Sequence, residues 1–496
     1  MFTPLSVRLL GDAGIGWHIR TGQQILATHA IPRVDFFSST MAGKPWFAWE
    51  WLYDLLVGKL EATLGLNGVV WFAAAVIATV FGWMLRLLIK RGTSLCVALP
   101  LVILAMSASM IHFLARPHVL SWLLTLAWFW ILDSSERASF SPSQRIRPVW
   151  LRPPLMLLWV NLHGGFLLGF VLLGIFWLAA IWEWFTAKEN RLEDSLRKSA
   201  AAQRSRTLMW IGLLTLAASF VNPYGWKLHA HVYSYLSNRF LMDHIDEFQS
   251  PNFHFVAQKC FLVLLLITLV ALVLRGRNLR LSAGLIVLFA VYAGLYASRN
   301  IPTSSVLLVM VIGPLCSTSD DPKGYFAGFF TRMTAIESGT RGHIWPIVAL
   351  VATFLIAANG GRFGSTRPGS RQLMNAHFDA NRMPVAAVDR LRNELTGPVL
   401  APDYWGGYLI YRLYPNTQVV LDDRHDLYGE QFFKSYLKMI HVEPGWQDFL
   451  REHPSSCVLL PTQSPLADRL KSSPEWKTIY ADDVAIAFLP TAEDRN

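Results

Sequence analysis

Asp12 interrupts a hydrophobic start. Residues 9–23 read LLGDAGIGWHIRTGQ, so an acid, small-residue turns, a Trp-His pair and Arg20 follow directly on two leucines. A carboxylate at a bilayer edge that faces a polar cavity can accept a proton from a hydroxyl, and partial desolvation raises its pKa toward neutral pH. The same residue type also caps helices, here the amphipathic stretch from Trp17 to Ala27, and the two roles are compatible. Asp35 and Glu50 follow in the same segment and read either as second carboxylates or as structural acids. Further polar clusters carry His112, Arg116 and His118; Asn222, Tyr224, His229 and His231; Asp243, His244, Asp246 and Glu247; and Ser298, Arg299 and Asn300. The acidic group among them reads as a solvated loop or as oxygen ligands suited to magnesium or manganese.

The elements that must position these groups cross a membrane. Of 496 residues, 53% are hydrophobic and only 16% charged, with 20 Trp and 30 Phe, a balance foreign to soluble domains. Apolar runs at about 66–90, 94–113, 119–134, 166–186, 207–222, 257–274, 281–298, 302–316 and 344–359 read as spans. Residues 370–496 return to ordinary soluble composition. The organisation is therefore a segment 1–65 with interfacial helices, a multi-span domain 66–360 and a C-terminal α/β domain 370–496. Four cysteines (Cys96, Cys260, Cys316, Cys457) stand singly, without disulfide or zinc spacing.

The net charge of +10 does not point to nucleic acid, because the basic residues fall in short loops between spans. They are Lys90 and Arg91; Arg137, Arg145, Arg147 and Arg152; Lys188, Arg191, Arg197, Lys198, Arg204 and Arg206; Arg275, Arg277 and Arg280; and Lys323, Arg332 and Arg341. By the positive-inside rule these loops are cytoplasmic. That assignment needs one more crossing at PPLMLLWVNLHGG, which offers only about ten apolar residues, half a normal span. One reading is a broken or re-entrant segment whose Asn161, His163, Gly164 and Gly165 line a polar cavity, since irregular backbone at membrane depth needs such cover. The other is a tight hairpin turned by Gly-Gly and capped by histidine. Ten crossings place residues 11–65, the polar clusters and the C-terminal domain together on the external side. MFTPLSVRLL is too short to span, so the chain is expected either to start inside its first transmembrane helix or to lack it through the choice of start codon; the second is favoured because 55 hydrophilic residues without a signal are hard to translocate.

Motifs then narrow the class. Asp12 with Trp17-His18-Ile19 and Gly22, Ile31-Pro32 with Asp35, Phe37 and Ser38, and Trp46 with Glu50, Trp51 and Leu52 resemble a bacterial group within the GT-C superfamily of membrane glycosyltransferases. NLHGGFLLG, NPYGW and SRNIP extend the resemblance over nearly the whole chain. It implies a polytopic α-helical GT-C-like fold in the bacterial cytoplasmic membrane, a lipid-linked sugar donor on a polyprenyl phosphate, and an essential first-loop acid acting as general base, carried onto Asp12 with His18, Asp35 and Glu50 beside it. It also implies a cation for the departing phosphate, for which Arg116, Arg299 and Arg20 are the candidates, each alternatively an interfacial snorkelling residue. Asn161, His163, His118, Asn222, Tyr224 and Asn300 are then cavity-lining. A divalent cation, Mg or Mn, is an option the resemblance leaves open.

In the C-terminal part the pattern predicts strands Val399 to Ala401, Gln418 to Asp422, Cys457 to Leu460 and Val484 to Leu489, with helices Tyr404 to Leu413 and Glu430 to Ile440 between them, hence a largely parallel sheet. DYWGGYL followed by VVLDDRHD loosely resembles the Trp-Trp-Asp-Tyr-Gly acceptor motif of oligosaccharyltransferases, in a different order, which makes Trp405, Tyr408, Asp422 and Arg424 the acceptor-binding candidates. Asp422, Asp423, Arg424 and His425 end the second predicted strand, where ligands of open α/β sheets bind; they read alternatively as an ion-paired strand end. No phosphate-loop or dinucleotide glycine pattern occurs. The leading expectation is an inverting glycosyltransferase acting on a lipid, glycan or protein acceptor. The rivals are a glycolipid transporter or flippase, which would carry repeats and charges deep in its spans, and a non-catalytic membrane scaffold.

Overall fold

The computed structural model describes residues 3–138, 148–187, 192–316, 328, 344–359 and 373–491. Of the basic loop residues named above, Arg145, Arg147, Lys188, Arg191, Lys323, Arg332 and Arg341 lie outside them.

The helices of the first segment and the bundle are α1 (Thr3–Leu9), α2 (Ile15–Thr28), α3 (Trp51–Lys90), α4 (Leu95–Ser109), α5 (His118–Ala138), α6 (Arg152–Val160), α7 (Leu167–Thr186), α8 (Leu192–Ser219), α9 (Trp226–Ser237), α10 (Arg239–His244), α11 (Val256–Arg275), α12 (Leu281–Tyr296), α13 (Ile301–Leu315) and α14 (Ile344–Ala358). Among the described residues, Trp51–Lys90, Leu95–His112, Gly164–Thr186 and Val256–Arg275 are long and apolar enough to cross a membrane. Leu281–Tyr296 and Pro346–Ala358 are shorter apolar helices. In α3 the amphipathic first part and the apolar second part meet at Gly65, whose backbone is not helical (φ 63°, ψ −165°).

The half-length segment forms α6, nine residues with prolines at its first turn, where a missing N–H costs nothing. Both sequence readings of its end meet in one turn. His163 is extended (φ −167°), its side chain accepts from the Gly165 amide, and a short 3-10 turn, Gly164–Phe166, leads into α7. The apolar second part of α3, residues 65–90, runs from this end of the bundle toward the other. There Asp133 gathers Arg91, Arg137 and Arg280, while Arg280 also reaches Glu136 at 2.5 Å. Buried like this, the carboxylates of α5 are matched by nearby cations from its own last turn and from other segments.

The C-terminal part holds α15 (Val385–Leu391), α16 (Asp403–Leu413), α17 (His425–Ile440), α18 (Trp446–Glu452) and α19 (Pro465–Lys471) around strands β1 (Val399–Leu400), β2 (Cys457–Pro461), β3 (Trp476–Ala481) and β4 (Ala485–Pro490). The sheet order is β1-β2-β4-β3. Only β1 and β2 are parallel; β2 with β4 and β3 with β4 are antiparallel, so the expected largely parallel sheet is corrected to a mixed one. The reason is local: Asp482 accepts the amides of Val484 and Ala485 at 2.8 and 2.7 Å and so turns β3 tightly into β4, where a parallel neighbour would need a long crossover.

Residues 418–422 do not form the predicted strand. Val419 instead makes isolated bridges to both Val399 and Ser38. Its amide donates to Phe37 O at 3.1 Å and its carbonyl accepts from Ser39 N at 2.8 Å, so this extended stretch laces the first segment to the C-terminal sheet. A second lock lies between α2 and α16. A Cβ on Gly16 would sit 2.1 Å from the Gly407 carbonyl oxygen, and one on Gly407 would sit 2.3 Å from that of Ala13. Only glycines allow this backbone approach.

Candidate active site

Between the end of the bundle and the C-terminal part lies a cavity of about 2150 Å³. Its wall takes Asp12 and Trp17 from the first segment, Trp46 to Glu50 from the approach to α3, and His112, Arg116 and His118 from the link between α4 and α5. His163 to Gly165, Glu247, Ser298 to Asn300, Asp403, Tyr404 and Asp423 to Asp426 are among the other residues of its lining.

One nitrogen organises the first group. Arg116 Nη1 donates to Asp12 Oδ1 at 2.9 Å and to Asp423 Oδ2 at 3.0 Å. Asp12 Oδ1 also accepts the Gly14 amide at 2.8 Å, while Gly14, not Asp12, is the cap residue of α2. Trp17 Nε1 fixes the other oxygen of Asp423 at 3.0 Å. Burial pushes the Asp423 carboxyl up, against the pull of Arg116. The Arg116 cation is in turn held more firmly than usual, because the charges of Asp12 and Asp423 outweigh its desolvation.

Glu50, just ahead of α3, stands between two imidazoles. Its Oε1 is 3.6 Å from His163 Nε2, and its Oε2 is 3.7 Å from His18 Nε2. His163 Nδ1 accepts the Gly165 amide at 3.0 Å, which leaves the proton of the neutral ring on Nε2, facing Glu50. Burial, with the Arg299 charge, pulls His163 down to about 3, so the ring is neutral. Burial also lowers His18, whose Nδ1 meets Asp54 Oδ1 at 2.6 Å. The Glu50 carboxyl itself is raised to about 8, chiefly by burial. At neutral pH it is mostly protonated and able to donate.

Arg299 brings a further cation to the wall. It pairs with Glu247 Oε1 at 3.1 Å and lies over the Phe248 ring at 4.4 Å. Against the partial desolvation of the Glu247 carboxyl, Arg299 holds the group below the usual carboxylate range, although the side chain is 44% exposed.

Several residues predicted for the site lie elsewhere. Asp35 and Asp422 are buried and face Arg424, which donates Nη1 to Asp35 Oδ1 at 2.8 Å and Nε and Nη2 to the two oxygens of Asp422 at 2.8 and 2.7 Å. Packed against Trp46 and Phe37, this triad is a clasp between the first segment and the C-terminal part, which is the ion-paired strand end of the two sequence readings. Arg424 touches the cavity with its donors already engaged. Arg20 is off the cavity: its Nε donates to Tyr411 O at 2.9 Å, and Nη2 reaches the same oxygen, tying α2 to α16. His18 is fully buried one layer behind Glu50.

Asn161, Asn222 and Tyr224 support the wall from behind. Asn161 Oδ1 accepts from Trp51 Nε1 at 2.8 Å, Asn222 closes its own turn, and the Tyr224 hydroxyl accepts the Ala48 amide at 2.8 Å. His118, His163 and Asn300 do line the cavity. Trp405 and Tyr408 are buried on the inward face of α16, where Trp405 Nε1 donates to Arg382 O at 2.8 Å. At the exposed start of that helix Asp403 and Tyr404 reach the cavity instead.

From sequence, Asp423 is read only at a ligand-binding strand end, Glu247 only in the acidic stretch and Asp403 only in the loose acceptor motif, and Asp54 is not singled out. For Asp423 a signal existed: in extended backbone successive side chains alternate, so a pair formed by residues 422 and 424 leaves 423 on the opposite face. Asp12 Oδ1 and Asp423 Oδ2 are both engaged by Arg116, and among the described residues no three His, Cys, Asp or Glu side chains group as ligands, including the acidic stretch 243–247.

The arrangement of bundle, first segment and C-terminal part has known counterparts. Over 99% of its length the chain superposes on 71% of the archaeal oligosaccharyltransferase AglB from Archaeoglobus fulgidus, solved with an inhibitory peptide and a dolichol-phosphate, with a TM-score of 0.55 and 10% sequence identity. The chain shares the fold of that enzyme. The apo form of the Archaeoglobus fulgidus oligosaccharyltransferase matches with a TM-score of 0.51 and 11% identity, over 99% of this chain and 74% of that one. The form tethered to an acceptor peptide containing the NVT sequon matches at 0.50 and 10%, over 98% and 73%. No family model matches the sequence, and no curated protein matches it.

Proposed function

We propose that this protein is an inverting glycosyltransferase that moves a sugar from a polyprenyl-phosphate carrier to an acceptor hydroxyl on the external face of a bacterial cytoplasmic membrane. The observation that carries the reading is one cavity at the bundle end that gathers Asp12, Glu50, Arg116 and Arg299. The AglB structure with dolichol-phosphate and peptide, on the same type of fold, supports a lipid-linked donor and an acceptor brought to that cavity.

In the transfer the acceptor oxygen bonds to the anomeric carbon while the bond from that carbon to the phosphate oxygen breaks. The electron pair leaves on the phosphate, and the acceptor proton goes to a carboxylate. Asp12 takes that proton through Oδ2, since Oδ1 is occupied by Arg116 and the Gly14 amide. Arg116 and Arg299 face the growing charge on the phosphate, an attraction that weakens with distance and strengthens where water is excluded. Glu50, mostly protonated, donates a hydrogen bond rather than accepting the proton.

Transfer of radiolabel from a panel of polyprenyl-phosphate sugars, in vesicles containing the full chain, tests this. Asp12→Asn should lower the rate by about 10²-fold or more, the scale of a lost general base, with dispersity in detergent unchanged. Full activity in a folded Asp12→Asn protein would remove the reading.

A further inference from the structure

We infer that the Arg116 guanidinium stands where a divalent cation would have to sit between Asp12 and Asp423, so that this protein handles its anionic donor without a bound metal ion. The inference rests on the reading of the cavity as a transfer site, and its test is independent of sugar transfer.

Three features make the place an arginine place. A single nitrogen, Nη1, bridges the two carboxylates at 2.9 and 3.0 Å, lengths of charge-assisted hydrogen bonds and well beyond the roughly 2.1 Å of magnesium to oxygen. Three of the four carboxylate oxygens already accept hydrogen bonds: Asp12 Oδ1 from Arg116 and Gly14, Asp423 Oδ2 from Arg116, and Asp423 Oδ1 from Trp17. The backbone is also shaped to the guanidinium. A Cβ at Gly14 would fall 1.8 Å from Arg116 Nη1 and 2.4 Å from Asp423 Oδ2, so residue 14 has no side chain because the cation fills that volume.

The chemical consequence is a permanent charge. Guanidinium stays protonated at any physiological pH, so the positive centre beside Asp12 needs no ion from solution. It also crosses the boundary between parts, since Asp12 belongs to the first segment, Arg116 to the link between α4 and α5, and Asp423 to the C-terminal part. A lost Arg116 would leave two carboxylates converging on an empty point, which is half of a magnesium or manganese site.

The probe is Mn²⁺ itself, titrated into the full chain in lipid nanodiscs and followed by the electron paramagnetic resonance of the free ion. The wild type should bind no more Mn²⁺ than the Asp12→Asn/Asp423→Asn double variant. Arg116→Ala should gain one saturable site, at least about tenfold tighter than the residual binding of the double variant. Arg116→Gln, closer in volume, serves if the alanine variant is not monodisperse. A saturable one-to-one site in the wild type that Asp12→Asn abolishes would overturn the inference, and so would a folded Arg116 variant that gains no site. Either failure leaves the transferase reading standing, because that reading fails only on transfer by Asp12→Asn.

Discussion

Replacing Glu50 by glutamine should stabilise the protein at neutral pH. In the folded chain the carboxyl sits at about 8 against an ordinary 4.5, chiefly because burial between His18 and His163 disfavours its charge. A raised carboxyl means the folded state keeps a proton that the unfolded chain has released. Its contribution is therefore fully present below about pH 4.5 and is lost as pH rises toward 8. At about 1.4 kcal/mol per pH unit, the wild type gives up less than about 1 kcal/mol at pH 5 but about 3 kcal/mol at pH 7. The glutamine side chain has nearly the same shape, can still donate a hydrogen bond and has no proton to lose. The two proteins should thus melt alike at pH 5, and Glu50→Gln should melt higher at pH 7 to 8. Tryptophan fluorescence melts in matched detergent, at unit pH steps, would read this. If both proteins lose stability in parallel between pH 5 and 8, Glu50 is ionised in the folded state and the reasoning fails.

Other perturbations separate the clasp and the locks from the chemistry. Asp422→Asn leaves Arg424 paired with Asp35 but weakens two buried charge-assisted hydrogen bonds and should cost about 1.5–3 kcal/mol, seen as a lower unfolding midpoint. Gly407→Ala puts a methyl 2.3 Å from the Ala13 carbonyl oxygen; about 1–3 kcal/mol of overpacking, read as a lower melting temperature, is expected. Arg20→Met should lower stability modestly and leave sugar transfer per folded molecule unchanged, because its partners are Tyr411 and Gln23, away from the cavity. A transfer loss matching that of Asp12→Asn would put Arg20 back in the site.

The membrane helices and the first-segment motif were legible because their signals are local. An apolar run long enough to span declares itself without a neighbour, and Asp12, Glu50, Arg116, Arg299, His118 and His163 were singled out as polar groups crowding one end of such runs. Less legible was which acids face the cavity. Asp35 and Asp422 have the same residue type as Asp12 and Asp423, yet they close on Arg424 beneath Trp46, because residues 418–422 lie laced between Phe37 and the sheet.

By itself, then, the sequence determined a bundle of apolar helices, an acid-bearing first segment and a C-terminal part of mixed helices and strands, since hydrophobic runs, glycine turns and strand periods act over a few residues. Tertiary structure alone decided the partners: that Arg116 would join Asp12 to Asp423, at the far end of the chain, that Arg20 would turn to α16, and that the sheet would be mixed. Charges choose partners by distance in space and by what water they lose, and neither quantity is written in the order of the chain.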